Sequence, residues 1–135
     1  EENLQLTGSY KDRTKFRLAE TYLLLAEAYL RQNMPDKAAD AVNEVRRRAK
    51  AADVSDDEMT MDYLLDERIR ELYGEESRRF TLVRTGKLIE RVKKYNPEAR
   101  DLIQDFHVLW PIPQAVRDAN TGEFPQNPGY EGYEG

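Results

Sequence analysis

Four of the chain's six prolines, Pro111, Pro113, Pro125 and Pro128, fall in one stretch, LWPIPQAVRDANTGEFPQNPGY, from Leu109 to Tyr130. Proline fixes φ, donates no backbone N–H and pushes the residue before it toward extended backbone. Long helices must therefore stop before Leu109, and the chain must close in an extended segment. That segment carries Trp110, Ile112, Phe124 and Tyr130, side chains a solvated tail does not need. It is expected to lie as a strap against the helices, with Trp110 and Ile112 pressed down together. A small helix from Pro113 to Ala119 interrupts it. Asn127-Pro128-Gly129 forms a turn with Tyr130 as terminal anchor. An exposed Trp110 would instead offer a platform for stacking a sugar ring, a weaker reading than burial in the strap.

Upstream, the pattern is helical. Residues 1–12 are polar and read as an arm or loop. From about Arg13 to Gln32, Leu18, Tyr22, Leu25, Ala26 and Tyr29 recur at helical spacing on one face. Leu23, Leu24, Ala28 and Leu30 make the rest of this helix apolar too, which predicts burial on more than one side. Asn33-Met34-Pro35-Asp36 ends it and opens a second helix, to about Ala52, whose face of Ala38, Ala41, Val42, Val45 and Ala49 allows close approach. Asp53 to Glu58 is an acidic connection. Thr60 then caps a third helix through Leu64, Leu65, Ile69 and Leu72 to Tyr73, ended by Gly74. A fourth is expected from Ser77 through Val92, bent near Gly86 and closed by Asn96-Pro97. The first two helices place small and aromatic residues as a tetratricopeptide-type hairpin does, a unit of about 34 residues. The chain thus reads as a helical domain over 13–130 with a disordered tail at 131–135.

Hydrophobic residues make up 39% and charged residues 35% of the 135, which suits helices with one buried and one solvated face. The net charge of −5 argues against a nucleic-acid partner, which needs clustered cations. The densest basic run, Arg46-Arg47-Arg48 with Lys50, is offset by nearby acids and reads as a solvated face. With no cysteine there is neither a disulfide framework nor a thiolate metal site. No apolar run reaches the about 18 residues that span a membrane.

Two sets of carboxylates invite a catalytic reading. Glu20 and Glu27 sit seven apart on the first helix, with Arg17 before one and Arg31 after the other. Glycoside hydrolysis needs one carboxyl that stays protonated, whereas flanking arginines hold carboxylates ionised. On the third helix Leu64, Arg68, Glu71 and Glu75 make one stripe beside the apolar one. Arg68 and Glu71 are expected to pair, with Glu75 reaching toward Arg78 and Arg79. A structural ion network of Arg17, Glu20, Glu27, Arg68, Glu71, Glu75 and Arg78 is the expectation, not an active site. His107, the only histidine, has no partners for a metal or a nucleophilic triad and reads as a packing or hydrogen-bonding residue. The acidic run Asp53, Asp56, Asp57 and Glu58 lacks the glycine of a calcium loop. No cofactor is expected.

Four strings in order, RLAETYLLLAEAYLR (17–31), AVNEVRRRA (41–49), LLDERIRELYGEESRRFTLVRTGKL (64–88) and HVLWPIPQAVRDANTGEFPQNPGY (107–130), resemble the C-terminal portion of the SusD/RagB family. These are outer-membrane glycan-binding lipoproteins of the cell surface. Two departures are local: Arg79 and Thr81 stand where the family has an aromatic and an aspartate, and Asn120 is followed by Thr121-Gly122 instead of proline. The resemblance implies an all-α fold of tetratricopeptide-like hairpins closed by the Pro-rich strap, residues Trp110, Pro111, Ile112, Pro113, Asn127, Pro128, Gly129 and Tyr130. It implies a non-catalytic scaffold in a nutrient-uptake protein that binds oligosaccharides and delivers them to a TonB-dependent outer-membrane transporter. Family members are several times longer and carry a lipid-modified cysteine after a signal peptide. The chain is thus expected to be a C-terminal piece whose parent alone bears the lipid anchor and the glycan site. The competing reading is a helical-repeat adaptor for protein partners.

Overall fold

A computed structural model describes residues 16–133, so the expected polar arm at 1–12 lies outside the described residues. Six α-helices and one 3₁₀ turn are present, with no strand among the described residues. In order they are α1 (Leu18–Arg31), α2 (Pro35–Arg48), α3 (Met61–Glu71), α4 (Arg78–Arg84), α5 (Leu88–Tyr95), the 3₁₀ turn (Asp105–Val108) and α6 (Gln114–Asp118). None of the described helices is long and apolar enough to cross a membrane. The chain divides between Glu76 and Ser77 into two compact units.

The first unit is the α1–α2 hairpin with α3 packed on it. Pro35 occupies the first position of α2, where its missing N–H costs nothing. Thr60 caps α3 through its hydroxyl, which accepts from the Tyr63 N–H at 3.2 Å. The core joins Ala19, Leu23 and Ala26 of α1 to Ala38, Ala41, Val42 and Val45 of α2 and Leu64 of α3, closed by Val54, Met59 and Leu72. The small-residue face of α2 is buried as expected, except Ala49, which stands exposed just past the helix end.

On α1 the buried stripe is Ala19, Leu23 and Ala26; Ala26 belongs to the predicted face, while Ala19 and Leu23 stand one position round from it. Leu18 is 67% and Leu25 41% exposed, while Tyr22 and Tyr29 are half-buried. Both stripes are apolar, and the small Ala19 and Ala26 face the alanines of α2 because only they let the helix backbones approach. The link from α2 to α3 is pinned by Asn43, 5% exposed. Its amide donates to the Val54 carbonyl at 2.9 Å and accepts from the Val54 N–H at 2.8 Å.

In the second unit the single bent helix expected from Ser77 to Val92 is two helices, α4 and α5. Gly86, at φ +70°, takes the left-handed conformation that ends a helix. Lys87 N–H then returns to the Leu82 carbonyl at 2.8 Å. Leu82 and Leu88 are the buried apolar residues on either side of the break. The 3₁₀ turn packs on α5.

Candidate functional site

Charged side chains surround the C-terminal end of α3 in the first unit. Arg68 is 1% exposed; its Nε donates to Glu76 Oε1 at 2.6 Å, and its Nη2 lies 3.6 Å from Glu20 Oε1. Arg17 donates from Nε to Glu75 Oε2 at 2.6 Å and also binds the Glu71 carboxylate and carbonyl. Arg48 binds the same Glu71 carboxylate from α2. The hydrogen bonds from Arg17 to Glu75 and Glu71 raise its pKa further above an already high range, so it is charged at every pH a protein meets. Glu67, 5% exposed, receives Arg46 at 2.7 Å and Arg70 at 2.7 and 3.0 Å.

The pairings differ from the expected ones. Arg68 meets Glu76 and Glu20 instead of Glu71, because α3 stops at Glu71 and the chain turns back, with Glu75 and Glu76 N–H groups both on the Leu72 carbonyl. Glu75 meets Arg17, not Arg78. Glu27 pairs with Arg31 at 3.0 Å, away from the cluster, and Arg78 opens α4 in the second unit. Sequence reasoning missed Glu76, Arg46, Arg48 and Glu67; the spacing of three between Glu67 and Arg70 could have announced that pair, whereas the other pairs join residues more than one helical turn apart. Chemically, each of these carboxylates lies against a guanidinium, and Glu27 is 3% exposed. Two carboxyls facing each other across an open cleft, as glycoside hydrolysis requires, are not what this cluster offers. Among the described residues no group of His, Cys, Asp and Glu could hold a metal ion.

In the second unit the last two sequence motifs hold each other. Gln126, 7% exposed, accepts the Ile112 N–H at 2.7 Å and donates to the Ile112 carbonyl at 2.9 Å. It presents to the strap what a neighbouring strand would present. Asn127 Nδ2 donates to the Trp110 carbonyl at 2.7 Å, and the Tyr130 hydroxyl donates to the Leu109 carbonyl at 2.8 Å. Proline at 111 and 113 supplies no N–H, so these side chains answer the backbone groups that remain. The Tyr130 ring meets Phe106 edge-on, centroids 5.0 Å apart. His107 Nδ1 accepts the Gln104 N–H at 2.8 Å and its ring leans on Phe106. Of the expected disordered stretch, 131–133 form a turn in which the Gly132 carbonyl accepts from Gln126 N–H and Arg117. Residues 134–135 lie outside the described residues.

Trp110 is not buried in the strap: its side chain is 62% exposed. The Arg79 guanidinium lies over its ring, 4.0 Å from the centroid. Arg79 Nη2 donates to the His107 and Leu109 carbonyls. Two concavities stand among the described residues. A groove of about 250 Å³ between α1 and α2 is lined by Tyr22, Leu25, Tyr29, Lys37, Asp40, Ala41 and Glu44. A hollow of about 230 Å³ in the second unit is lined by Arg117, Glu123, Phe124 and Pro125.

Comparison with known proteins sets these features in a family. The family model described as the SusD family matches residues 2–130. Over 125 residues the chain is 35% identical to the starch-binding protein SusD of Bacteroides thetaiotaomicron, covering 86% of this chain and 21% of that protein. A SusD-like protein of Formosa agariphila is 35% identical over 113 residues, 76% of this chain and 21% of the relative. A second from the same organism is 32% identical over 108 residues, 72% and 20%. The chain thus spans about a fifth of the length of the curated relatives it matches. No solved structure gives a significant match.

Proposed function

This chain belongs to the SusD family, and from that premise we propose that it serves as helical scaffold in a surface lipoprotein that captures oligosaccharides for nutrient uptake. The observation that carries the reading is the family match across 2–130 together with the likeness to a starch-binding relative. The protein works without catalysis, its buried carboxylates being spent on arginines. It hands the glycan to a TonB-dependent transporter of the outer membrane, and a lipid anchor borne by the longer protein holds it at the cell surface. The ion network of Arg17, Glu20, Glu71, Glu75 and Arg68 and the paired terminal motifs then keep the helices in one arrangement. The test is affinity electrophoresis against a panel of polysaccharides, with this chain run beside the longest protein its gene encodes. Retardation of the longer form supports glycan capture.

A second reading, a helical-repeat adaptor, is favoured by the α1–α2 groove, where two half-buried tyrosines and Leu25 of α1 face Lys37, Asp40 and Glu44 of α2. Under it, Tyr22→Ala with Tyr29→Ala abolishes binding to a protein partner and leaves polysaccharide behaviour untouched. Under the first reading the same pair leaves both glycan retardation and association with the transporter intact.

A further inference from the structure

We propose that Trp110 and Arg79 together form a contact for an anionic saccharide ring, one bearing a carboxylate or sulfate. The proposal rests on the oligosaccharide-capture reading and names the sugar chemistry this chain itself would favour. Trp110 is 62% exposed although the backbone on both sides of it is anchored. Asn127 holds its own carbonyl, and Tyr130 and Arg79 hold that of Leu109. The indole is therefore a broad apolar surface on a fixed support, which loses little freedom when a ligand lands on it.

Arg79 gives the platform its charge. Its Nη2 is committed to two carbonyls, while Nε and Nη1 make no bond and no carboxylate pairs with the guanidinium among the described residues. Guanidinium N–H groups in that state match the two oxygens of a carboxylate or sulfate. The guanidinium lies over one face of the indole, and these N–H groups stand beside the part of the ring that stays exposed. A neutral ring would gain the stacking and leave the cation unanswered, so discrimination against neutral sugars follows.

Trp110 is the chain's single tryptophan, so its intrinsic emission reports on this contact alone. The full chain is titrated with polygalacturonate, dextran sulfate and uncharged dextran, at low and at raised salt. The expected result is a saturable emission change with at least one polyanion, weakened by salt, and none with dextran. Whichever polyanion acts tells carboxylate from sulfate. Arg79→Gln should raise the apparent Kd by about tenfold, the loss of a charge-assisted pair, with an unchanged circular dichroism spectrum. Arg79→Lys, which keeps the charge and loses the fork, should fall between. Lys93→Gln with Lys94→Gln should leave the Kd within about twofold. The proposal is overturned by an unchanged emission with both polyanions, by an equal response to dextran, by an unaffected Arg79→Gln, or by loss of binding in the Lys93/Lys94 variant. Electrophoretic retardation by an acidic polysaccharide with Trp110 emission unmoved would also overturn it while leaving oligosaccharide capture standing. Should the longer protein bind no polysaccharide at all, capture itself falls.

Discussion

At Gly129, φ is +86° and an added Cβ would come within 2.8 Å of Phe106 Cβ and closer still to its ring. Alanine there meets both a disfavoured backbone and a clash, so Gly129→Ala should cost about 1–3 kcal/mol, read by urea unfolding. Gly86, also at positive φ, has nothing within 4 Å; Gly86→Ala should cost only the backbone penalty, about 1 kcal/mol. The two glycines thus separate strain from contact. The buried amides Asn43 and Gln126 each satisfy both backbone groups of a residue far along the chain. Asn43→Ala or Gln126→Ala should each lose about 1–3 kcal/mol, since a buried donor and acceptor are left unanswered. The turn at Asn127-Pro128-Gly129 is legible because its chemistry is local. The partners of Gln126 and Asn43, fourteen and eleven residues away, have no periodic signature and could not be read in advance.

At the scale of elements, the all-helical character, the Thr60 cap and the proline-opened α2 follow from local chemistry and were legible. Which face of α1 is buried was not. Its two apolar stripes are equally periodic, and the choice between them is made by the alanines of α2, a tertiary fact. The splitting of α4 from α5 at Gly86 was foreseen only as a bend, because a single glycine lowers helix propensity without saying whether the chain turns left-handed there. Of the ion cluster, Arg17, Glu20, Arg68, Glu71 and Glu75 were foreseen as members, but they pair differently and with further residues, for guanidiniums reach across helices to carboxylates that spacing does not reveal. Its centre is Arg68, 1% exposed and paired with the nearly buried Glu76 at 2.6 Å. Arg68→Ala removes the buried cation facing that carboxylate and should destabilise by about 3–5 kcal/mol, followed by thermal or denaturant unfolding. Arg47, by contrast, pairs with Asp53 at the surface, both side chains about half exposed and the Arg47 pKa raised by that hydrogen bond, and Arg47→Ala should change the unfolding midpoint hardly at all.

Across the whole molecule, several large apolar side chains stand in water: Phe16 at 84%, Leu18 at 67% and Tyr73 at 86% in the first unit, Phe80 at 68% and Leu102 at 72% in the second. The isolated chain should therefore enhance the fluorescence of a hydrophobic dye, and Leu18→Lys with Leu25→Lys should lower that signal without lowering helix content. The family assignment was legible in four ordered motifs, while the openness of Trp110 was not, because prolines on either side argue for burial and the covering Arg79 comes from another element. The account's central claim is that these helices serve glycan capture. Affinity electrophoresis of this chain beside the longest product of its gene, against neutral and acidic polysaccharides, tests it most directly. The account predicts that at least one polysaccharide retards the longer protein, and that this retardation exceeds any shown by the chain alone. A longer protein that migrates freely through every polysaccharide would contradict it.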